Sequence, residues 1–217
     1  MMQLNQFIDH TLLKPTATPE DIENLCKEAI AHQFIAVCIP PSYLKHAKSV
    51  LKDSKVKLAT VIGFPLGAMT TQAKVFEAKD ALANGADEID MVINIGMLKS
   101  GEANYVEKEI AEIKKAIGSK VLKVIIETCY LTDSEKEAAC KAALNANADY
   151  VKTSTGFGTG GATFEDVKLM KKIAGDKMQI KASGGIKDRE TAIKYIELGV
   201  SRLGTSSGIK LVTSEEN

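Results

Sequence analysis

Nowhere does the sequence hold a long apolar run: no stretch approaches the roughly 18 consecutive apolar residues of a membrane span, and the opening MMQLNQFIDH has no basic start followed by an apolar segment. A cytoplasmic protein is the expectation. There is no excess charge of either sign, since 28 basic residues balance 28 acidic ones. No global field therefore draws the chain to nucleic acid or to an anionic membrane, and any anion it binds must be met locally. Cysteine is sparse. Cys26, Cys38, Cys129 and Cys140 show no C-x-x-C spacing and no neighbouring histidines, which argues against zinc and redox motifs and for free thiols. Of three histidines, His32 and His46 fall in helix-like contexts and His10 in a strand, so no metal motif forms. Low-complexity segments, linkers and charge blocks are absent as well, and one domain spanning residues 1–217 is expected.

What is present is an alternation. Eight short apolar runs, FIDHTLL, IAVCIP, KLATVIGF, EIDMVINI, VLKVIIET, YVKTS, QIKASGG and SRLGTSS, trade places with amphipathic helical patterns. Thr18, followed by Pro19, Glu20 and Asp21, reads as a helix start, as do Thr132 and Thr163. Gly85, Gly118, Gly175 and Gly199 read as helix stops. Eight such units predict an α/β fold closed into a (β/α)8 TIM barrel. The alternative, a doubly wound open sheet, is expected to carry G-x-G-x-x-G after its first strand, where this chain has KPTATPE.

Side chains of a strand alternate between faces. In EIDMVINI the apolar set Ile89, Met91 and Ile93 suits the helices, leaving Glu88, Asp90, Val92 and Asn94 toward the barrel axis. In YVKTS, Val151 and Thr153 face out, and Tyr150, Lys152 and Ser154 face in. In QIKASGG, Ile180 and Ala182 face out, and Lys181 and Ser183 face in. Parity leaves VLKVIIET undecided, because both sets are apolar, although one carries Lys123 and Glu127. A barrel has no edge at which a strand lysine can reach water, so two inward lysines on adjacent strands point to use in a site. Like charge and desolvation both lower an amine's pKa, which would make one of them a neutral nucleophile toward a carbonyl carbon, with Asp90 to move protons. The turns SGGIKDRE and GTSSGIK place small residues with free N–H groups where helices are expected to start, after the seventh and eighth strands, an arrangement that cradles phosphate.

The motifs IDHTLLKP, AVCIPP, EIDMVINIG, LKVIIET, VKTSTGFGTGGAT and IKASGGIK, in this order, resemble the deoxyribose-phosphate aldolase family over nearly the whole chain. The resemblance implies a class I aldolase that interconverts 2-deoxy-D-ribose 5-phosphate with acetaldehyde and D-glyceraldehyde 3-phosphate, with no metal or other cofactor, as a homodimer or homotetramer. By position it implies Lys152 as the Schiff-base lysine, Lys181 as the second lysine and Asp90 as the proton-transfer aspartate. It puts Asp9, Thr11, Cys38 and Lys123 around the substrate, and Gly156, Gly184, Gly185, Gly204, Ser206 and Ser207 around its phosphate. Some members carry a tyrosine in a C-terminal tail, whereas the last tyrosine here is Tyr195 and the chain closes with LVTSEEN. A Schiff-base barrel aldolase for a different phosphorylated sugar, or a phosphosugar-binding protein without chemistry, remain as alternatives.

Overall fold

The apolar runs become eight parallel strands in a computed structural model that describes residues 3–213, so the last four residues of LVTSEEN lie outside the described residues. The strands are β1 (Ile8–Thr11), β2 (Ala36–Ile39), β3 (Lys57–Ile62), β4 (Glu88–Val92), β5 (Val121–Ile125), β6 (Tyr150–Lys152), β7 (Gln179–Ser183) and β8 (Arg202–Thr205). They pair in chain order, and β8 pairs back onto β1, with Asp9 beside Gly204, so the sheet closes. Helices α1 (Pro19–Ala31), α2 (Leu44–Val50) and α3 (Thr71–Ala83) follow β1, β2 and β3. After β4 come α4 (Ile95–Lys99) and α5 (Ala103–Ile117), and after β5 to β8 come α6 (Asp133–Asn145), α7 (Phe164–Ala174), α8 (Arg189–Glu197) and α9 (Gly208–Thr213). This is the (β/α)8 barrel that the alternation predicts.

The helix boundaries follow local chemistry. Thr18 and Thr132 each form a reciprocal capping box, with Asp21 and Glu135, and Thr163 accepts the Asp166 N–H. Gly118 caps α5 at φ +61°, a conformation that glycine adopts without the clash of a Cβ. The outward strand residues Ile89, Met91, Val151, Ile180, Ala182 and Leu203 join Ile22 and Leu25 of α1, Ile110 and Ile113 of α5, and Val167 and Met170 of α7 in one core. Burying a large aliphatic side chain stabilises by about 1.5–3 kcal/mol. That layer, between barrel and helices, holds the strands in register.

Two expectations need correction. Asn94 does not face the barrel axis: β4 ends at Val92, and the Asn94 side chain accepts the Met97 N–H to cap α4. An asparagine two residues past a strand finds this local acceptor role before any axial one. Nor does SGGIKDRE open a helix directly. Residues 184–188 form a turn, and α8 begins at Arg189 behind its own cap, Asp188. Of the two turns expected to cradle phosphate, the one after β8 runs straight into a helix, at Gly208.

The end of β4 is held by a fully buried pair that parity could not reveal. Lys74 of α3 meets Glu109 of α5 at 2.8 Å and also donates to the Val92 carbonyl, while Glu109 accepts the Asn94 N–H. Burial outweighs their mutual attraction, pushing Lys74 below and Glu109 above their usual ranges. Breaking a buried pair strands its partners. Glu109→Ala is therefore expected to cost about 3–5 kcal/mol in urea unfolding. A loss below about 1 kcal/mol, the size of an exposed pair, would show that the pair does not anchor β4.

Candidate active site

Inside the barrel the strands carry charge. Ion pairs connect Asp9 of β1, Glu88 and Asp90 of β4, Lys123 of β5, Lys152 of β6, Lys181 of β7 and Arg202 of β8. Neighbouring strands supply neighbouring charges, since Asp90 lies in register with Lys123, Lys152 with Lys181, and Lys181 with Arg202. Asp90 is the hub. Its Oδ1 accepts from Lys123 at 2.7 Å, and its Oδ2 from Lys152 at 2.9 Å and Lys181 at 2.8 Å. Lys181 also bonds Asp9, Arg202 Nη2 donates to Glu88 at 2.6 Å, and Lys123 meets Glu88 at 2.7 Å. Asp90 and Lys152, two strands apart along the wall, touch because the interior of a barrel this narrow is spanned by side chains.

Four cations against three carboxylates leave one positive charge in excess when all are ionised. Burial opposes ionisation of every member, and the partners decide which of them yields. Burial works against the Asp90 carboxylate, but Lys123, Lys152 and Lys181 hold it well below the usual range. Asp9 is likewise held low, by Arg202 and Lys181. Burial would depress Lys181, yet Asp9 and Asp90 together raise it above an ordinary lysine, and Asp90 and Glu88 do the same for Lys123. Lys152 alone among the four cations is lowered. Burial is the main cause, Lys181 adds like charge, and Asp90 only partly opposes them. The lysine pair thus differs from the expectation in weight: desolvation does more than the neighbouring ammonium to depress Lys152.

Above the cluster opens a cavity of about 400 Å³ at the C-terminal ends of the strands. Lys152 is the one member of the cluster that lines it. The walls are the turn after β1 (Thr11 to Lys14), the turn after β6 (Thr155 to Phe157), the turn after β7 (Ser183 to Lys187) and the turn after β8 (Gly204 to Ser207). Thr11 and all six residues expected around a phosphate, Gly156, Gly184, Gly185, Gly204, Ser206 and Ser207, are among them. Asp9, Cys38 and Lys123 are fully buried beneath the wall, with Asp90 and Lys181. Gly184 and Gly185, at φ +86° and +82°, turn the chain sharply at the cavity edge.

The interior is asymmetric. On the β2 and β3 side, Cys38, Ala59 and Val61 form a small apolar cluster with Leu13 and Phe64, apart from the main core. The charge lies on the remaining strands. Sequence reasoning assigned no role to Glu88, which it turned inward, and missed Arg202 although Leu203 beside it marks the outward set. It also missed the rim cations Lys14 and Lys187, which lie in turns where no alternation operates.

The arrangement suits imine chemistry on a small anionic carbonyl compound: an amine of lowered basicity at the cavity floor, fixed charges behind it, and small-residue turns opposite. Comparison with known proteins agrees. Residues 4–208 match the family model described as DeoC/LacD family aldolase. The chain is 57% identical to a deoxyribose-phosphate aldolase of Brevibacillus brevis, over 98% of this chain and 96% of that one. It is 57% identical to another from Thermococcus gammatolerans, over 100% of this chain and 98% of its relative. Among solved structures, the tetrameric deoxyribose phosphate aldolase of Aeropyrum pernix superposes with a TM-score of 0.90 at 36% identity, covering 96% of this chain and 89% of that one. Matched along nearly its whole length by the family model and by these relatives, the chain belongs to the DeoC/LacD family of aldolases.

Proposed function

We propose that the protein reversibly cleaves 2-deoxy-D-ribose 5-phosphate to acetaldehyde and D-glyceraldehyde 3-phosphate through a Schiff base on Lys152. The observation that carries this reading is that the one cluster cation of depressed basicity is also the one that reaches the cavity. Its neutral Nζ adds to the C1 aldehyde of the open-chain sugar, and loss of water leaves an iminium. The C3 hydroxyl then gives up its proton as the C2–C3 bond breaks. C3 departs as the aldehyde of glyceraldehyde 3-phosphate, and the electron pair stays on C2 as an enamine. Protonation of C2 and hydrolysis release acetaldehyde and return the amine. Asp90 and Lys181, an ion pair at 2.8 Å, accept and return the displaced protons, and Asp90 faces the positive nitrogen throughout. Leu13, which lines the cavity and packs on the apolar cluster of Cys38, Ala59 and Val61, suits a C2 that carries no hydroxyl. The turns after β6, β7 and β8, with Lys14 and Lys187 at the rim, suit the phosphate.

The unit proposed to do this is the chain of 217 residues as one domain, working in the cytoplasm. Among the described residues, no helix is long and apolar enough to cross a membrane. Assembly into a homodimer or homotetramer is part of the proposal, supported by the tetramer named for the Aeropyrum pernix relative and by Leu66 and Phe76, each 72% exposed. Light scattering on the eluted protein should give the mass of a dimer or tetramer. A monomer at micromolar concentration would remove this part.

Borohydride with acetaldehyde should place a reduced adduct on Lys152, and both Lys152→Ala and Lys152→Arg should abolish it, because a guanidinium stays protonated. Only the free amine reacts, so trapping rises with pH through the Lys152 pKa, and the depressed value puts that limb below the ordinary lysine range. Asp90 raises that pKa. Asp90→Asn should therefore move the limb to still lower pH while turnover falls by about 10²-fold or more. An adduct on Lys181, or a limb that moves upward in Asp90→Asn, would overturn the assignment. For the phosphate, Ser206→Asp should raise KM for deoxyribose 5-phosphate about tenfold, equivalent to ~1.4 kcal/mol, with a much smaller change for unphosphorylated deoxyribose. Equal losses on both sugars would place the phosphate elsewhere.

A further inference from the structure

One buried carboxylate beside the cavity has no part in the steps above. Glu127 follows β5, is 1% exposed, and holds φ +53° although it is not glycine. Such a conformation costs a side-chain-bearing residue about 1 kcal/mol or more and persists where the surroundings over-determine it. Here the surroundings are the next strand's turn. The Glu127 carboxylate accepts the Thr155 N–H, at 3.1 Å on Oε1 and 3.3 Å on Oε2, and also the Thr155 hydroxyl. The Thr155 Oγ1 in turn accepts the Phe157 N–H at 3.0 Å. A carboxylate on backbone and hydroxyl donors makes charge-assisted bonds stronger than neutral ones.

The segment so held is glycine-rich up to its next anchor, the Ala162 N–H on the Ser183 and Gly184 carbonyls. Gly156, Gly158, Gly160 and Gly161 crowd it, α7 begins only at Phe164, and a Cβ added at Gly156 would meet nothing within 4 Å. Gly158 packs instead on the Glu127 side, where a Cβ would come within 2.8 Å of Cys129 Sγ and 3.2 Å of the Glu127 carboxyl carbon. Thr155, Gly156 and Phe157 nevertheless form one wall of the cavity, three residues beyond Lys152. Phe157 lies edge-on to Phe64, with ring centroids 5.3 Å apart.

We propose that Glu127 is a positioning residue: through Thr155 it sets the Gly156 backbone as part of the phosphate-side wall of the cavity. The proposal rests on the phosphorylated substrate of the preceding subsection. Because imine formation happens at Lys152, inside β6 and ahead of the turn that Glu127 holds, loss of Glu127 acts on the binding of the phosphorylated end and spares amine chemistry. A purely structural role would affect both.

The test compares Glu127→Ala, Glu127→Gln and Thr155→Val with the unaltered enzyme. In Glu127→Ala, KM for deoxyribose 5-phosphate should rise about tenfold or more, with KM for deoxyribose and the rate of borohydride trapping with acetaldehyde within about twofold of the parent. Glu127→Gln keeps an acceptor oxygen for the Thr155 N–H and should recover most of the loss. Thr155→Val, which removes the hydroxyl link and leaves Glu127 in place, should reproduce part of the KM effect and carries the test if Glu127→Ala does not fold. An unchanged KM in both Glu127→Ala and Thr155→Val, or equal losses on both sugars with slowed trapping, would overturn the proposal. If the parent does not cleave deoxyribose 5-phosphate, the substrate reading fails, and titration with inorganic phosphate followed by phosphorus NMR decides this one. Weaker phosphate binding in Glu127→Ala than in the parent supports it, and equal binding, or none in the parent, sinks it.

Discussion

A buried ion cluster with one positive charge too many is the constraint on which this barrel's chemistry depends. Asp9, Glu88 and Asp90 face Lys123, Lys152, Lys181 and Arg202 in the buried interior of the barrel. Removing charges from water costs several kcal/mol per ion unless partners compensate. Arg202 cannot release its proton, and Lys123 and Lys181 each hold two or more carboxylates. Among the described residues, Lys152 pairs with Asp90 alone. The excess is thus most cheaply relieved by deprotonating Lys152, and the amine of greatest use to the reaction is the one the cluster favours losing its proton.

Around that cluster the fold divides labour by position along the strands. Midway, paired charges fill the interior, while beyond the strand ends glycine- and serine-rich turns make the cavity wall. The outward faces and helices hold the wall in place, through the apolar layer and through anchors such as Lys74 with Glu109 at the end of β4. From the end of β5, Glu127 plays the corresponding part for the glycine-rich chain that follows Lys152 and β6. Precision at a reacting amine requires support one layer out, because a side chain is no better placed than the backbone that carries it.

Much of this was legible in alternation. Ile89, Met91, Val151, Ile180 and Ala182 mark the outward face, so Asp90, Lys152 and Lys181 had to point in, and they do. The helix caps at Thr18, Thr132 and Thr163 were equally readable, since capping is a local contest among a few atoms. Alternation failed where it stops applying: at Asn94, already past its strand, at the turn before Asp188, and in β5, where Val124 packs outward and only the barrel shows Lys123 turned in.

By itself, then, the sequence determined the strand and helix order, the inward direction of Glu88, Asp90, Lys152 and Lys181 and, through its motifs, the family. These depend on contacts within a few residues or on the period of a strand. Tertiary structure decided which charge pairs with which. Lys152 and Lys181 are alike in sequence, each an inward lysine on a short strand, yet one is lowered and the other raised. The difference comes from Asp9, 172 residues from Lys181 in the chain and within bonding distance of it across the closed barrel. Electrostatic free energy depends on separation in space and on burial, and neither is set until β8 meets β1.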